Sequence, residues 1–313
     1  MERKISYNDL KKAVEGAYEE YKNLEKGAVD KRLAAYSDAK NYGVTIVLTD
    51  GRIIEKGDTN VRAALGNIAT VPVHAVLLQQ NSVKELVKKA GKTENAKIND
   101  ENVGVCPHTV RAISAVEPQN DADGKYDVIM NMLVSMLGNE PVLNDKLYQA
   151  NAAANIAANV ENKFADANYE LYDNTATVLD TYAKLGALTV TTTELATLGA
   201  TIAADGVNPV TKEIVFDGEN SAPLTTIAAL HGDADRIRRE MLKSGVPEVY
   251  SYSGLVLAIL PGLGAIAAYA PEVGRHGRSK KGVRAVRYIT NAIDYNVFAS
   301  ARVSVEAKEA VKA

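Results

Sequence analysis

The first pattern in this 313-residue chain that could do chemistry is Ser37-Asp38-Ala39-Lys40, an amine one helical turn beyond a hydroxyl. At that spacing a lysine could take the proton of a serine nucleophile. The pattern lies ahead of the β-branched run Val44–Leu48, and four residues specify little, so it reads as coincidence. Lys243-Ser244-Gly245 offers the same two groups a second time. Cys106 with His108 two residues on could pair a thiol with an imidazole. Alternating neighbours on a strand do not meet, however, and a lone cysteine is more often a small buried apolar group. With one cysteine the chain has no internal disulfide and no multi-cysteine metal site. His74, His231 and His276 are isolated, which argues against a metal centre.

The elements that must position any such groups are those of an ordinary soluble globular protein. Apolar residues make up 46% and charged residues 24%, with a formal net charge of -3. No general basic field for nucleic acid is present, and no apolar run reaches membrane-spanning length. The start, MERKISYNDLKK, lacks the apolar core of a signal peptide, so the cytoplasm is the expected location. Tryptophan is absent, and tyrosine (15) outnumbers phenylalanine (3). Abundant alanine points to close-packed helices.

Apolar spacing predicts a helix over 7–35, with Asn8 or Asp9 as its cap. Val44–Leu48 and Ile53–Ile54 read as strands joined at Asp50-Gly51, where glycine accepts the positive φ of a tight turn. Leu65–Gln80 reads as a buried helix bent or bounded by Pro72, and 91–104 as a polar loop. Helices follow over 126–137, 150–160, 175–185 and 192–204, the last capped by Thr192 or Thr193 and stopped at Asp205-Gly206. Tyr252–Leu260 and Ala265–Tyr269 read as strands, and 282–295 as a closing helix. The expected architecture is α+β: an antiparallel sheet built from both termini, flanked by helices, with an inserted all-helical lobe. The α/β lobe would comprise 1–66 and 225–313 and the helical lobe 67–224, with ligands at the seam between them.

The order of these elements resembles the serine-dependent glutaminases, relatives of penicillin-binding proteins and class A β-lactamases. The resemblance rests on Gly43, Asp50-Gly51, Gly57-Asp58, Arg62, Asn151, Glu194-Leu195-Ala196 and Asp205-Gly206-Val207-Asn208-Pro209. It continues through Gly245-Val246-Pro247, Ala270-Pro271-Glu272, Gly277-Arg278-Ser279 and Gly282. It implies a β-lactamase-like fold of the glutaminase branch and a dimer or tetramer; no cofactor is expected. The family reaction is hydrolysis of the glutamine side-chain amide, by a serine that opens a helix as Ser-x-x-Lys. Here the matching residues are Asn67-Ile68-Ala69-Thr70, so the positions of nucleophile and base hold Asn67 and Thr70.

The family's Lys-Ser-Gly falls on Val249-Tyr250-Ser251, and its substrate-binding glutamate falls on Asn144. The family's asparagine before Ala-Gly-Ala falls on Thr109 or Val110, and two family tyrosines fall on Leu185, one turn from Tyr182, and on Ala234. Lys243-Ser244-Gly245 lies some six residues too early for the strand motif in a gapless match. Asn67, Asn144, Asn151, Tyr182, Tyr250 and Tyr252 are therefore the expected contacts of a small neutral or amino-acid-like ligand. Tyr250 and Tyr252 would alternate with Ser251 and Ser253 on a strand, one pair facing the seam. Two readings follow: a catalytically silent glutaminase relative that binds or assembles, or an amidohydrolase acting on a glutamine-like compound at the same seam. The charge run Asp233, Asp235, Arg236, Arg238 and Arg239 reads as a solvated helix start, with a subunit contact as the alternative. The basic cluster from Arg275 to Arg284 has the same two readings and a third, binding of a phosphate or other anion.

Overall fold

The computed structural model describes residues 5–90, 105–232, 234–274 and 277–299. The chain opens with α1 (Tyr7–Tyr21), β1 (Ala28–Val29), β2 (Gly43–Leu48), β3 (Ile53–Gly57) and β4 (Ala63–Ala64). A 3-10 turn, Gly66–Ala69, leads into α2 (Thr70–Gln80), followed by α3 (Val83–Ala90), α4 (Pro107–Ala115) and α5 (Ala122–Leu137). Next come β5 (Val142–Leu143), α6 (Asp145–Ala157), α7 (Val160–Asp166), α8 (Thr175–Ala187), β6 (Leu188–Val190) and α9 (Thr192–Ala203). The chain closes with α10 (Ser221–Leu230), α11 (Ala234–Ser244), β7 (Glu248–Tyr250), β8 (Leu255–Leu260), β9 (Gly264–Tyr269), β10 (Glu272–Val273) and α12 (Lys280–Ala292).

Strands from both ends of the chain meet in a five-stranded sheet of order β3-β2-β9-β8-β7, antiparallel throughout. Alternation along β2 and β8 divides their side chains between two cores. Val44, Ile46, Val256 and Ala258 pack with Leu10 and Val14 of α1 and with Val286 and Ile289 of α12. Val47, Leu257 and Ile259 face the other way, onto Leu195, Leu198 and Ile202 of α9 and the helical layer beyond. Both faces of the sheet are covered, which is why β2, β8 and β9 are buried along their whole length, the one polar side chain of β2, Thr45, being bonded to Thr192 at 2.8 Å. The second core runs without a break from the sheet through α9 to Ile129 and Leu133 of α5. α9 packs on the sheet on one side and on the helices on the other. Among the described residues no helix is long and apolar enough to cross a membrane.

Several local expectations change. The helix expected over 7–35 ends at Tyr21, and Ala28–Val29 instead pairs with Glu272–Val273. Strand pairing there overrides the helical spacing of apolar residues. Its cap is Ser6, whose side chain accepts the Asp9 N–H, rather than Asn8 or Asp9. Pro72 falls in the first turn of α2, where a missing N–H costs nothing, so it marks a helix start and no bend. Thr191, not Thr192 or Thr193, caps α9 through a reciprocal capping box with Glu194. The loop expected at 91–104 lies outside the described residues, as do Asp233, Arg275 and His276.

Candidate functional site

A small second sheet, β4-β6-β5, holds the site's main turn in place. Arg62 fixes its edge, donating to Thr189 O (2.9 Å) and to both carboxylate oxygens of Glu194 (3.2 and 2.8 Å). Immediately after β4, Gly66 takes φ +53 and swings the chain into the 3-10 turn. A Cβ at Gly66 would lie 2.4 Å from Ser251 Oγ and 2.9 Å from the Tyr252 ring, so glycine is required by space as well as by angle. Ser251 and Ser253 lock the facing segment by donating to Ala64 O at 2.7 and 2.6 Å.

The result is a cavity of about 160 Å³ between the 3-10 turn, α6, α8, the start of α4 and the segment after β1. Asn67, Tyr182, Asn151 and Tyr252 all line it. Tyr182 donates to Asn67 Oδ1 (3.1 Å) and accepts the backbone N–H of Cys106 (3.2 Å). Asn151 Nδ2 donates to the Tyr252 hydroxyl (3.2 Å), and that hydroxyl donates to Gly186 O (3.2 Å).

Residues that sequence reasoning missed complete the wall. Arg32 lies with its guanidinium 4.2 Å from the Tyr252 ring centroid and donates to Asn151 Oδ1 at 3.2 Å. Its other donors hold Asp30 at 2.9 and 3.0 Å. Burial works against the Arg32 charge, but the bonds to Asp30 outweigh it and raise the arginine pKa. Burial likewise pushes Asp30 up, and the bonds from Arg32 bring it below the usual carboxylate range. The pair is an internal ion pair, so the cavity carries little net charge. Burial raises the Tyr252 pKa, with Arg32 and Asn151 partly opposing it. Asn155 Nδ2 is buried in the same wall without a hydrogen-bond partner. Only the Ala-rich character of α6 hinted that a second asparagine one turn beyond Asn151 would face inward.

The other expected residues fall elsewhere. Tyr250 ends β7 with its hydroxyl donating to Glu248 Oε2 and its ring under Arg278, away from the cavity. Tyr250 and Tyr252 do not alternate on one strand, because the chain turns at Ser251–Gly254 and separates them. Asn144 caps α6, its side chain accepting the Leu147 N–H at 3.0 Å, and it does not line the cavity. Thr70 is buried against His74, whose Nδ1 lies 3.2 Å from Thr70 Oγ1 and 2.7 Å from Thr70 O. Val249 is buried in the core beneath the sheet. Lys243 and Ser244 end α11, where both engage Glu240, and do not line the cavity. Cys106 does line the cavity, and its Sγ lies 3.9 Å from Nε2 of His231, a partner 125 residues away that the pairing with His108 overlooked.

The turn that opens α2, flanked by α6 and α8 beneath a sheet of this order, has known counterparts. The sequence profile of the glutaminase family matches residues 31–298. The chain belongs to the glutaminase family. The protein called Glutaminase in Parabacteroides distasonis is 30% identical over 320 residues, 97% of this chain and 99% of its own. Glutaminase 1 of Shigella flexneri is 27% identical over 308 residues, 94% of this chain and 99% of its own. The solved structure of a probable glutaminase, ybaS, matches with a TM-score of 0.85 at 26% identity, over 95% of this chain and 100% of that one. A probable glutaminase from Bacillus subtilis, complexed with 6-diazo-5-oxo-L-norleucine, shares the fold at 19% identity with a TM-score of 0.79, over 95% of this chain and 99% of that one. The fold of this glutaminase-family chain is thus the β-lactamase-like one that the order of its elements implied.

Proposed function

We propose that this glutaminase-family protein binds a small neutral or zwitterionic, amino-acid-like compound in the cavity beside Asn67 and does not hydrolyse glutamine. The observation that carries the reading is Asn67 itself. It opens the turn into α2, on the cavity wall, with its carboxamide oxygen held by Tyr182. Acyl transfer needs a side chain that can lose a proton, attack the amide carbon and later be released by water. A carboxamide does none of these, and Thr70 one turn on is turned toward His74. The ligand class follows from charge: Arg32 and Asp30 cancel, while Asn155 Nδ2 offers an unused donor.

The test is ammonia release from L-glutamine and a panel of amides and amino acids, with thermal-shift readings on the same samples. The expected result is no release and a clear stabilisation by one neutral or zwitterionic compound. Glutamine turnover that disappears in Asn67→Ala would overturn the proposal.

The contact between Cys106 and His231 favours a second reading, an amidohydrolase acting on a glutamine-like derivative at the same cavity. In that case the thiol, with the imidazole as base, replaces the serine chemistry of the family. Turnover of any panel amide that is abolished by Cys106→Ser and indifferent to Asn67→Ala would select it. Assembly into a dimer or tetramer, on family resemblance, and a cytoplasmic location are proposed with either reading. Light scattering on the purified protein tests the first, and cell fractionation the second.

A further inference from the structure

Away from the cavity beside Asn67, α11 and α12 enclose a cleft of about 230 Å³ lined by Lys243, Arg278, Lys280, Arg284 and Arg287, with Glu240 as the one acidic wall residue among the described residues. We propose that this cleft is a binding site for a small, soluble, multiply anionic phosphorylated compound.

The chain as a whole is acidic, at a net charge of -3, so this concentration of cations is not a matter of composition. The helical spacing explains how they converge. Lys280, Arg284 and Arg287 recur at intervals of four and three residues, which places them on one face of α12, the face turned to α11. The single carboxylate is already engaged. Glu240, only 8% exposed, lies 3.1 Å from Arg278 Nη1 and 3.6 Å from Lys243 Nζ. Among the described residues no carboxylate is within ion-pair distance of Lys280, Arg284 or Arg287.

Arg278 is not a loose surface group. Its guanidinium rests 5.4 Å from the Tyr250 ring centroid, and Tyr250 is tied by its hydroxyl to the buried Glu248. Its Nη1 is buried and makes no hydrogen bond of proper geometry despite its closeness to Glu240. The cleft therefore combines a rigidly backed guanidinium, paired with Glu240 through Nη1, with two further guanidiniums and an ammonium. Arginine forks of this kind match the oxygens of a phosphate, two donors to each group. Like charges held this close repel, and a bound polyanion would relieve that repulsion.

The site is independent of the cavity beside Asn67, and its test is a direct one. The whole chain is titrated with inorganic pyrophosphate by calorimetry at low salt, in parallel with the double variant Arg284→Glu/Arg287→Glu. Both side chains lie partly in solvent, so the variant should fold, and its unchanged melting without ligand confirms this. Saturable binding by the wild type, weakened about tenfold or more in the variant, is the expected result. Sodium sulfate at matched ionic strength separates phosphate recognition from general charge attraction. Absence of saturable binding, equal affinity in the variant, or sulfate binding as tight as pyrophosphate would each overturn the proposal.

Discussion

Tyr182 and Asn67, 115 residues apart in sequence, are joined by a 3.1 Å hydrogen bond that fixes the carboxamide at the mouth of α2. The same hydroxyl accepts the N–H of Cys106, so one side chain couples the 3-10 turn, α8 and the start of α4. Tyr182→Phe removes both bonds and leaves the ring in place. Each bond in such a half-buried setting contributes about 1 kcal/mol, and a chain of this length should melt a few degrees lower, roughly 2–4 °C per kcal/mol lost. Any compound that stabilises the wild type should lose most of its thermal shift in this variant. An undiminished shift would place the ligand away from Asn67.

The strands were legible as short β-branched or apolar runs bounded by turn residues, and the flanking helices through the spacing of their apolar residues. Val44–Leu48 alternates between two cores, and Glu194 sits at the capping position that its Ala- and Leu-rich helix needs. Asn67, Asn151 and Tyr182 were legible through the family resemblance, and all three line the cavity. Tyr250 was misplaced because strand alternation holds only while the strand continues, and β7 stops there. Asn144 was misread because a residue before a helix is as often a cap as a contact. Arg32 was invisible: it follows a two-residue strand whose partner, β10, lies at the other end of the chain. No local pattern encodes that pairing, which with the burial of Leu33 beside Ala64 and Leu147 brings the guanidinium to Tyr252.

Gly66 should be intolerant of any side chain. Its φ of +53 disfavours an L-residue by about 1 kcal/mol, and the added methyl would overlap Ser251 Oγ and the Tyr252 ring. Ser251 cannot yield cheaply, because it is bonded to Ala64 O at 2.7 Å. Gly66→Ala should therefore cost roughly 3 kcal/mol in urea denaturation and shift the cavity wall that Asn67 and Tyr252 share. A loss below about 1 kcal/mol would mean that the turn is more adaptable than this geometry allows.

Lys125 and Asp173 form an ion pair of 3.0 Å with both side chains fully buried. The ammonium also donates to the carbonyls of Ile113, Ser114 and Val116 at 3.1, 3.2 and 2.6 Å, closing the end of α4. Lys125→Met strands a buried carboxylate and several carbonyls, with an expected loss of about 3–5 kcal/mol. Burial alone would raise the Asp173 pKa, but Lys125 and the N–H groups of Asn174 and Asn120 bring it below the usual value. A depressed carboxylate stabilises the fold above its unfolded pKa, about 3.9, and that contribution disappears as the pH falls through the folded value. Asp173→Asn should thus be less stable than the wild type at pH 7 and converge with it in acid. A constant difference across pH 2–7, measured by urea denaturation, would contradict the assignment.

Glu248 should act in the opposite sense. Burial pushes its carboxyl from 4.5 up to about 7, with Glu240 adding to the shift, while Ser244, Tyr250 and Arg278 oppose it. Oε2 accepts from Tyr250, but Oε1 is buried without a partner, so the neutral acid is the form this site prefers. A carboxyl whose pKa is raised on folding stabilises fully below 4.5 and loses that contribution as the pH rises through about 7. The gap corresponds to about 3 kcal/mol at most between pH 4 and pH 8. Glu248→Gln keeps the size and hydrogen-bonding shape of the neutral acid without its ionisation. The variant should match the wild type near pH 5 and exceed it at pH 8, by up to that amount, in urea denaturation at each pH. Parallel pH profiles for the two proteins would show that Glu248 ionises as readily in the fold as in the unfolded chain.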